Sequence, residues 1–445
     1  MTKNNPSVRS SRREFLKRSG VLAVGLAAAS AGSRVHAAEE NTIKVALVGC
    51  GGRGGGAVLQ ALSTVGPKKL VALSDAFESK VTGLLPRIKE RFPNDVDPNV
   101  QQFIGLDGYK HAIDAVGPGG VVLLATAPAF RPLHVEYAVN KGVHIFMEKS
   151  FGVDAPGVRK IMQAGELAKQ KNLKIVGGLM SRHNIPLQQA IERLHNGMIG
   201  ERIICWAYRE QGPVGFSPRR PDESMTAHQI RVYSAFTWLN GSFILDHMIH
   251  NLDVSCWAKG EYPISAQGMG GRQTRTHQDT MFDHFAVEYT FADGTRLFAQ
   301  GRHQANVWNC FQATIHGTTG CAVIGEGVKI PRIYKGHNPV AENLLWEYTD
   351  PPSRDQYQVE QDVLFDCIRS DKPMNETDRC CQTTMVGILG RMAAETGQMI
   401  TWDEAINSTT ELAPNLDKLT MDGPAPIIPD ENGNYPIAMP GVTKI

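Results

Sequence analysis

The sequence lacks an excess of charge of either sign, because 46 lysine and arginine residues nearly balance 45 aspartate and glutamate residues. A protein that binds nucleic acid or an anionic membrane through its overall charge needs a positive excess, so the composition favours neither partner. Cysteine is also scarce: the eight cysteines include no C-x-x-C pair and no spacing typical of a metal site. We therefore expect mostly buried, reduced thiols and no metal centre.

Long apolar runs are absent, apart from the stretch Val21–Ala31, which is too short to span a bilayer. It follows Ser11–Lys17 (S-R-R-E-F-L-K), which matches a twin-arginine export signal, and it precedes the small-residue cleavage site Val35-His36-Ala37. This order predicts a signal peptide over residues 1–37, recognition by the twin-arginine translocase, and a periplasmic or otherwise exported protein. The mature chain is expected to start at Ala38 and to be soluble. A chance Arg-Arg pair before an apolar helix is the alternative.

What the sequence does contain is an apolar strand that runs into a glycine-rich turn, at Lys44–Gly54 (K-V-A-L-V-G-C-G-G-R-G). Gly49, Gly51 and Gly54 fit the pattern G-x-G-x-x-G. The first glycine permits a tight turn, the second lets the backbone approach a pyrophosphate, and the third lets the helix pack closely on the strand. The free N–H groups of the following helix attract that anion. The alternative is a glycine-rich surface loop without a ligand.

A carboxylate follows at the spacing that a dinucleotide site requires. A second strand, Leu70–Leu73, ends in Ser74-Asp75, and Asp75 lies about 26 residues after Gly49, near where a ribose-binding acid is expected. Asp75 would repel a 2′-phosphate, and neither lysine nor arginine follows it directly. NAD is therefore the favoured cofactor, and NADP is the alternative.

Residues 42–177 alternate strands with helices, which predicts an α/β fold with a doubly wound parallel (Rossmann) sheet. The predicted strands are Ile43–Val48, Leu70–Leu73, Gln102–Ile104, Val121–Ala125, His144–Met147 and Lys174–Val176. The predicted helices are Gly54–Val65, Glu78–Arg91, Tyr109–Val116, Pro132–Lys141 and Ala155–Asn172. Ligands of such sheets bind beyond the carboxyl ends of the strands, where the glycine turn, Thr126 and Glu148-Lys149 are expected to lie.

After Gly178 the pattern changes to helices mixed with alternating strands, which predicts an α+β domain with a mainly antiparallel, open sheet. The predicted strands are Arg202–Tyr208, Ser265–Gly271, Phe285–Phe291, Arg296–Gln300, Phe311–His316 and Ala322–Ile324. We expect an NAD(P)-binding Rossmann domain over residues 38–178, an α+β substrate and oligomerisation domain over 179–400, and a C-terminal extension over 401–445.

Lys149 follows the fifth strand, close to the expected cofactor. A lysine there can contact the nicotinamide ribose and donate a proton to a carbonyl as hydride arrives, with Glu148 orienting it. A solvated lysine after a strand is the alternative.

A second group lies on the predicted helix Phe243–Ala258, where Asp246, His250 and Asp253 share one face at i, i+4 and i+7. A carboxylate one turn before an imidazole can hold its tautomer and tune its pKa, as a general base requires. The alternative is an ion pair on the helix surface. A metal site formed with His247 is a weaker alternative, because the spacing directs His247 away from Asp246.

Three residues are candidates for contact with the substrate. Arg182 and His183 follow the last strand of the first domain and should emerge beside the cleft, with an interdomain ion pair as the alternative. Trp238 precedes the Asp/His helix, as Tyr233 does, and an aromatic face there would suit a sugar ring; core packing is the alternative.

Four motifs together resemble the Gfo/Idh/MocA family, the group of glucose–fructose oxidoreductases and inositol dehydrogenases, over nearly all of residues 42–400. They are G-C-G-G-R-G at Gly49–Gly54, A-T-A-P at Ala125–Pro128 with His134 downstream, M-E-K-S at Met147–Ser150, and D-H-M-I-H-N-L-D at Asp246–Asp253. The resemblance implies that Lys149, Asp246 and His250 are catalytic. The residues expected to bind the cofactor are Gly49, Gly51, Gly52, Arg53, Gly54, Asp75, Thr126, Pro128, His134, Glu148 and Lys149.

The chain departs from the family pattern at two positions. Ser150 replaces the usual proline, which is expected to alter the turn that presents Lys149, and Met248 replaces a common glycine, which is expected to narrow the pocket. The resemblance implies an NAD-dependent oxidoreductase that acts on a sugar, cyclitol or derivative and forms a homo-dimer or homo-tetramer. The alternatives are a redox-neutral glycosidase, lyase or epimerase with tightly bound NAD, and a non-catalytic sensor.

Overall fold

The structure is a computed structural model that describes residues 41–351 and 354–444. Its first element is a six-stranded sheet. Its strands are β1 (Ile43–Val48), β2 (Lys68–Asp75), β3 (Val96–Ile104), β4 (Val121–Leu124), β5 (His144–Met147) and β6 (Ile175–Gly177). They lie in the order β3-β2-β1-β4-β5-β6, and every neighbouring pair is parallel. The predicted doubly wound parallel sheet is confirmed.

Helices cover both faces of this sheet, because its central strands are apolar on both sides. They are α1 (Gly52–Leu62), α2 (Glu78–Arg91), α3 (Gly108–Val116), α4 (Arg131–Asn140) and α5 (Ala155–Gln170). Alternate residues of β1 enter different cores: Val45 and Leu47 face one, whereas Ala46 and Val48 face the other. Each parallel connection therefore crosses over through a helix, and the carboxyl ends of the strands meet along one edge.

The second sheet has nine strands. They are β7 (Arg202–Gln211), β8 (Ser265–Gly271), β9 (His284–Thr290), β10 (Arg296–His303), β11 (Cys310–Gly317), β12 (Gly320–Ile324), β13 (Arg332–Lys335), β14 (Leu344–Glu347) and β15 (Ile400–Thr401). Their order is β14-β13-β12-β11-β7-β10-β9-β8-β15. The pair β7–β10 is parallel and the other neighbouring pairs are antiparallel. This confirms the predicted mainly antiparallel sheet.

Helices accompany the second sheet. They are α6 (Ile185–His195), α7 (Met225–Arg231), α8 (Thr237–Asn240), α9 (Ile249–Lys259), α10 (Gln356–Arg369), α11 (Thr377–Thr396) and α12 (Trp402–Asn407). Of these, α9 and α11 pack on strands of the sheet. A π-helical turn, Ile244–Met248, leads directly into α9. α10 returns to the first sheet and packs beside α1. The two halves of the chain are therefore joined by side chains as well as by the backbone.

The predicted export signal over residues 1–37 and the predicted mature start at Ala38 lie outside the described residues. Within the described ranges, no helix combines the length and the apolar character that a bilayer crossing needs. All eight cysteines lie in these ranges as free thiols, and all but Cys310 are buried. The expectation of mostly buried, reduced thiols is confirmed.

Candidate active site

A pocket lies at the carboxyl ends of β1, β2 and β4. The glycine turn, the end of β2 and the segment after β4 form most of its wall. The lining residues include Gly49, Gly51, Gly52, Asp75, Phe77, Lys80, Tyr109, Thr126, Phe130, His134, Ile230, Arg231 and Tyr233. This is the edge where a parallel sheet of this kind binds its ligands.

The glycine turn has the shape that a pyrophosphate requires. Gly49 has a φ of +98°, and a β-carbon there would lie 2.6 Å from the carbonyl carbon of Ala125. A β-carbon on Gly54 would overlap the carbonyl oxygen of Gly49. Gly51 differs, since a β-carbon there would meet no atom within 4 Å and would project into open space. The turn thus leaves room beside its backbone N–H groups at the start of α1, and the residues present fit a bound dinucleotide.

Asp75 closes the opposite side of this turn. Its Oδ2 accepts a hydrogen bond from the backbone N–H of Cys50 at 2.7 Å, and its Oδ1 accepts one from Phe77 at 3.0 Å. Burial raises the pKa of Asp75, although these hydrogen bonds and the charge of Lys80 oppose the shift. Lys80 also lines the pocket. The residues next to Asp75 in the sequence carry no cation, but the fold places the ammonium group of Lys80 near its carboxylate.

The segment after β4 places two more predicted residues on the pocket wall. Thr126 and His134 both line the pocket, and Thr126 Oγ1 lies 3.3 Å from His134 Nδ1. Arg131, buried beneath them, donates hydrogen bonds to the carbonyl oxygens of Leu124 and Thr126, both at 2.7 Å. Pro128 is buried at the start of the 3₁₀ turn that follows. The guanidinium group of Arg131 therefore holds this segment in place from its buried side.

Arg53 and Glu148 face each other at the start of α1. The Arg53 guanidinium pairs with Glu148, donates to Gln60 at 3.0 Å and lies 3.3 Å from Glu360 on α10. Burial of Glu360, reinforced by the charge of Glu148, raises the pKa of Glu360 well above its usual value. Because Glu148 pairs with Arg53, the expectation that it orients Lys149 is corrected. It anchors α1 to β5 instead.

Lys149 reaches across to the second half of the chain. Its Nζ donates to the backbone carbonyl of Asp246 and lies 3.0 Å from Asp246 Oδ1. Burial alone would raise the pKa of Asp246, but the charges of Lys149 and His247 overcome this effect and hold it below the usual value. Lys149 and Asp246, predicted from separate motifs, are therefore in direct contact.

The second partner of Asp246 is His247, whose Nε2 lies 3.4 Å from Asp246 Oδ2. The expectation that His247 points away is corrected, whereas Asp246 and His250 lie close enough for their charges to interact. The cause is the π-turn over Ile244–Met248, because an i→i+5 turn shifts the angular spacing that an α-helix would give.

His250 lies at the start of α9 with a buried Nδ1 that has no hydrogen-bond partner among the described residues. Its burial, together with the charges of Lys149 and Arg209, lowers its pKa well below the usual value. Burial also lowers the pKa of His247, to about 4. Both imidazoles are therefore neutral near pH 7, and His250 retains a free ring nitrogen.

The two departures from the family pattern are accommodated by packing. Ser150 is fully buried, and its hydroxyl donates to the backbone carbonyl of Leu245. Met248 is also buried, and its thioether lies over Gly301 of β10, where a β-carbon would collide with the sulfur. Met248 thus fills the space above a glycine of the sheet, which corrects the expectation that it narrows the pocket.

The three predicted substrate residues do not converge on this centre. Arg182 donates two hydrogen bonds to Asp253, at 2.7 and 2.8 Å. His183 is buried, with its Nε2 3.7 Å from Glu376 Oε1. Trp238 is fully buried, and its Nε1 donates to Gln229 at 2.7 Å. For Trp238 the structure gives the core-packing alternative. Arg182 forms an ion pair with a residue of its own predicted domain instead of the interdomain pair.

Two residues join the site that the motifs did not identify. Tyr233 lines the pocket, and the charge of Asp246, together with burial, raises the pKa of Tyr233. Arg209 lies near enough to Asp246 for the two charges to interact. Sequence alternation could have revealed Arg209, because it shares a strand face with buried Cys205 and Ala207. The sequence predicts Tyr233 only as an aromatic face for a sugar ring, because its place in the glycine-turn pocket depends on tertiary packing.

Comparisons with known proteins give relatives in sequence and in fold. No profile of a known protein family matches the chain. The inositol 2-dehydrogenase of Burkholderia cenocepacia is 25% identical over 337 residues, which are 74% of this chain and 86% of the relative. The inositol 2-dehydrogenase of Ralstonia nicotianae is 20% identical over 310 residues, which are 69% of this chain and 81% of the relative.

Solved structures show the fold. The aldose-aldose oxidoreductase of Caulobacter crescentus, complexed with glycerol, has a TM-score of 0.63 at 17% identity. The scyllo-inositol dehydrogenase of Lactobacillus casei, with bound NAD(H) and scyllo-inositol, has a TM-score of 0.59 at 18% identity. Both alignments cover 81% of this chain and 99% of the other. The fold is that of a Rossmann sheet joined to an open, mainly antiparallel sheet. The chain is thus similar in sequence to inositol 2-dehydrogenases, and it shares its fold with the solved structures.

Proposed function

We propose that this chain is an NAD-dependent oxidoreductase that transfers a hydride between nicotinamide and a CH–OH or keto carbon of a sugar, cyclitol or derivative. The observation that carries the proposal is the contact between Lys149, which follows β5, and Asp246, in the turn before α9. Tyr233 connects this contact to the glycine-turn pocket, since it lines the pocket and its pKa responds to Asp246. The relatives' activity as dehydrogenases supports the same reaction.

The cofactor would lie against the glycine turn. Backbone N–H groups from Gly51 onwards would hold the pyrophosphate, and Asp75 would bind the adenosine ribose. Thr126 and His134 would line the path towards Lys149. When bound, NAD accepts or donates the hydride. A 2′-phosphate would face the carboxylate of Asp75, so NAD is favoured over NADP.

Side chains of the protein itself would accept and donate the hydroxyl proton of the substrate. His250 is neutral, because burial and two nearby cations lower its pKa, so it can accept the hydroxyl proton of an alcohol. Lys149 would donate hydrogen bonds to the same oxygen. Asp246 is ionised and holds the ammonium group at 3.0 Å, which fixes its direction towards the substrate.

The test replaces the lysine. We expect Lys149→Ala to lower turnover by about 100- to 10,000-fold, the usual contribution of a positioned acid or base, and to leave NAD bound. Native mass spectrometry measures bound dinucleotide, and NADH absorbance measures turnover on a panel of sugars and cyclitols.

The matched control is Lys141→Ala, which removes a half-exposed lysine that pairs with Asp114 on the protein surface. Full activity of Lys149→Ala, or equal loss in the two variants, would remove Lys149 from the mechanism. A redox-neutral reaction with retained NAD gains no support from the comparisons, and it would show as turnover without added NAD.

We also propose that the protein is exported through the twin-arginine pathway. Ser11–Lys17, the apolar stretch and the cleavage site stand in the required order. A variant with lysine at positions 12 and 13 should remain in the cytoplasm and keep its signal, which cell fractionation and intact-mass measurement detect. Normal export of that variant would contradict the proposal.

Assembly into a homo-dimer or homo-tetramer is proposed on the surface of the second sheet. Its outer face carries Trp206, stacked on Phe298 at 4.7 Å between ring centroids and on Tyr208 at 5.8 Å. Aromatic residues concentrated on a sheet face are typical of protein interfaces. The domain limits at residues 38–178, 179–400 and 401–445 are retained as part of this proposal.

A further inference from the structure

Tyr233 lines the cofactor pocket and also lies near the contact between Lys149 and Asp246. It begins the 3₁₀ turn Tyr233–Ala235, which follows α7, and it forms the pocket wall together with Thr126 and Phe130. The residue is 40% exposed, whereas Ala235 and Phe236 beside it are fully buried. Because Tyr233 lines the pocket, a molecule bound there can reach its side chain.

The surrounding charges locate the phenol hydroxyl. The carboxylate of Asp246 has the largest influence on the pKa of Tyr233 and raises it, ahead of burial and the charge of Glu148, whereas Arg131 opposes the shift. The same carboxylate holds the ammonium group of Lys149 at 3.0 Å. The hydroxyl therefore lies near the Lys149–Asp246 pair, and it keeps its proton throughout the neutral pH range.

This hydroxyl is free to bind a ligand, since it forms no hydrogen bond with another of the described residues. The hydroxyl of Tyr289 also lacks a partner, but a β-carbon on Gly390 would collide with it, so it faces the packed core. Tyr233 differs because it adjoins a pocket. A protonated phenol on a pocket wall offers one hydrogen-bond donor to the molecule that occupies the pocket.

The positions of the pocket walls indicate which part of that molecule reaches Tyr233. Asp75 and the glycine turn lie on one part of the wall, and Tyr233, near Asp246, lies on another. A dinucleotide with its adenosine ribose at Asp75 and its pyrophosphate at the glycine turn would extend its nicotinamide towards Lys149. The substrate carbon that reacts with the nicotinamide must lie against it, so its oxygen would lie within reach of both Lys149 and Tyr233.

We propose that Tyr233 is a further catalytic residue, whose hydroxyl donates a hydrogen bond to the reacting oxygen of the substrate beside the ammonium group of Lys149. The inference rests on the proposed function and adds a residue to its site. Tyr233 keeps its own proton, while the hydroxyl proton of the substrate passes to His250. Two fixed donors would stabilise the negative charge that develops on the oxygen during the reaction.

The experiment uses Tyr233→Phe, which removes the hydroxyl and keeps the ring. Initial rates of NADH formation are measured with myo-inositol, scyllo-inositol and D-glucose. Calorimetry measures NAD binding without a polyol and polyol binding to the full chain loaded with NADH. We expect kcat to fall by about 10- to 100-fold, the range expected for a hydrogen bond to a charged group, and polyol binding to weaken several-fold. NAD affinity and the unfolding midpoint should stay nearly unchanged, because the hydroxyl has no partner within the protein.

The matched control is Tyr137→Phe, which removes a hydroxyl that donates to Asp114 at 3.0 Å on the protein surface; it should change neither kcat nor polyol binding. An unchanged kcat in Tyr233→Phe, or an equal loss in the two variants, overturns the inference. Weaker NAD binding without a polyol overturns it as well, since the hydroxyl would then contact the cofactor and not the substrate. A loss of activity that follows a lower unfolding midpoint does the same.

The measurements also separate this inference from the proposed function. Polyol binding that depends on the Tyr233 hydroxyl, without any NADH formation, would refute the oxidoreductase and leave the contact with Tyr233 standing. Oxidation of a polyol at equal rates by the unmodified chain and by Tyr233→Phe would do the reverse. Neither binding nor oxidation of any of the three polyols would overturn both.

Discussion

Asp75 holds the shape of the cofactor pocket and also sets its charge. Its two oxygens accept backbone hydrogen bonds from Cys50 and Phe77, so it fixes the turns after β1 and β2 relative to each other. The nearby ammonium of Lys80 belongs to α2, one helical turn beyond those contacts. The carboxylate of Asp75 would therefore repel a 2′-phosphate, although the ammonium group of Lys80 beside it could bind that phosphate.

Removing this carboxylate charge should change cofactor choice. Asp75→Asn keeps the shape of the side chain and one acceptor oxygen, and it loses one of the two hydrogen bonds from Cys50 and Phe77 because its amide nitrogen is a donor. Because like charges placed together cost several kcal/mol, the ratio of kcat/KM for NADP to that for NAD should rise by at least about tenfold. Adding Lys80→Ala should cancel the gain. Initial rates with both cofactors measure the ratio, and an unchanged ratio in Asp75→Asn would show that Asp75 does not face the ribose.

At the scale of single elements, the turn before α9 decides how the candidate catalytic side chains meet. Helical spacing predicts Asp246 and His250 on one face, and the residues are those that the resemblance implies. The π-turn over Ile244–Met248 alters the angle, so Asp246 contacts His247 and Lys149. No local preference in Ile-Leu-Asp-His-Met distinguishes a π-turn from an α-turn. The difference arises from packing, in which Met248 lies over Gly301.

The sequence predicts most of the architecture because the local and long-range preferences agree there. β1, β5, β8 and α2 begin and end where periodicity places them. A capping box of Thr401 and Glu404 starts α12, and its pattern of a threonine followed three residues later by a glutamate can be recognised in the sequence alone. The sequence does not predict β14, at the edge of the second sheet, or β13 beside it, since each has only four residues and its pairing depends on neighbours already in place. Ion pairs such as Arg53–Glu148 depend on how the helices are placed in the fold, so the sequence does not predict them either.

The glycine turn offers a comparison of two substitutions within one element. Gly51→Ala adds a methyl group to open space in a backbone conformation that alanine adopts, with a φ of −72°. It should leave the unfolding midpoint nearly unchanged and abolish NAD binding, because the methyl group occupies the side where the pyrophosphate approaches. Gly54→Ala adds the same group against the carbonyl of Gly49. It should destabilise the fold by about 1–3 kcal/mol, the usual cost of overpacking.

Urea denaturation measures stability for the two variants, and calorimetric titration with NAD measures affinity. Retained NAD binding in Gly51→Ala would contradict the assignment of the pyrophosphate to this turn. An equal loss of stability in both variants would contradict the packing argument.

At the scale of the whole molecule, the C-terminal segment supports the far wall of the cofactor pocket. Ile230, Arg231 and Tyr233 line that wall and lie in or just after α7. The C-terminal segment holds α7 through its backbone: Thr226 donates to the carbonyl of Gly423 at 2.8 Å, and Gln229 donates to that of Ile427 at 2.8 Å. Residues nearly two hundred positions apart thus hold the same pocket wall in place. The C-terminal extension therefore helps to build the site.

Weakening this support should therefore release the cofactor. Tyr435 is buried, lies 5.1 Å from Phe236 in an edge-to-face arrangement and accepts a hydrogen bond from Gln229. Tyr435→Ala forfeits an aromatic pair worth about 0.5–1.5 kcal/mol beyond its buried area. It should lower the unfolding midpoint and raise the NAD dissociation rate several-fold, because α7 is held less firmly.

Met439→Ala, a change at a 59% exposed position of the same segment, is the control and should alter neither quantity. Stopped-flow displacement of bound NADH measures the rate; a lower midpoint with an unchanged rate would show that the segment stabilises the fold without holding the pocket wall.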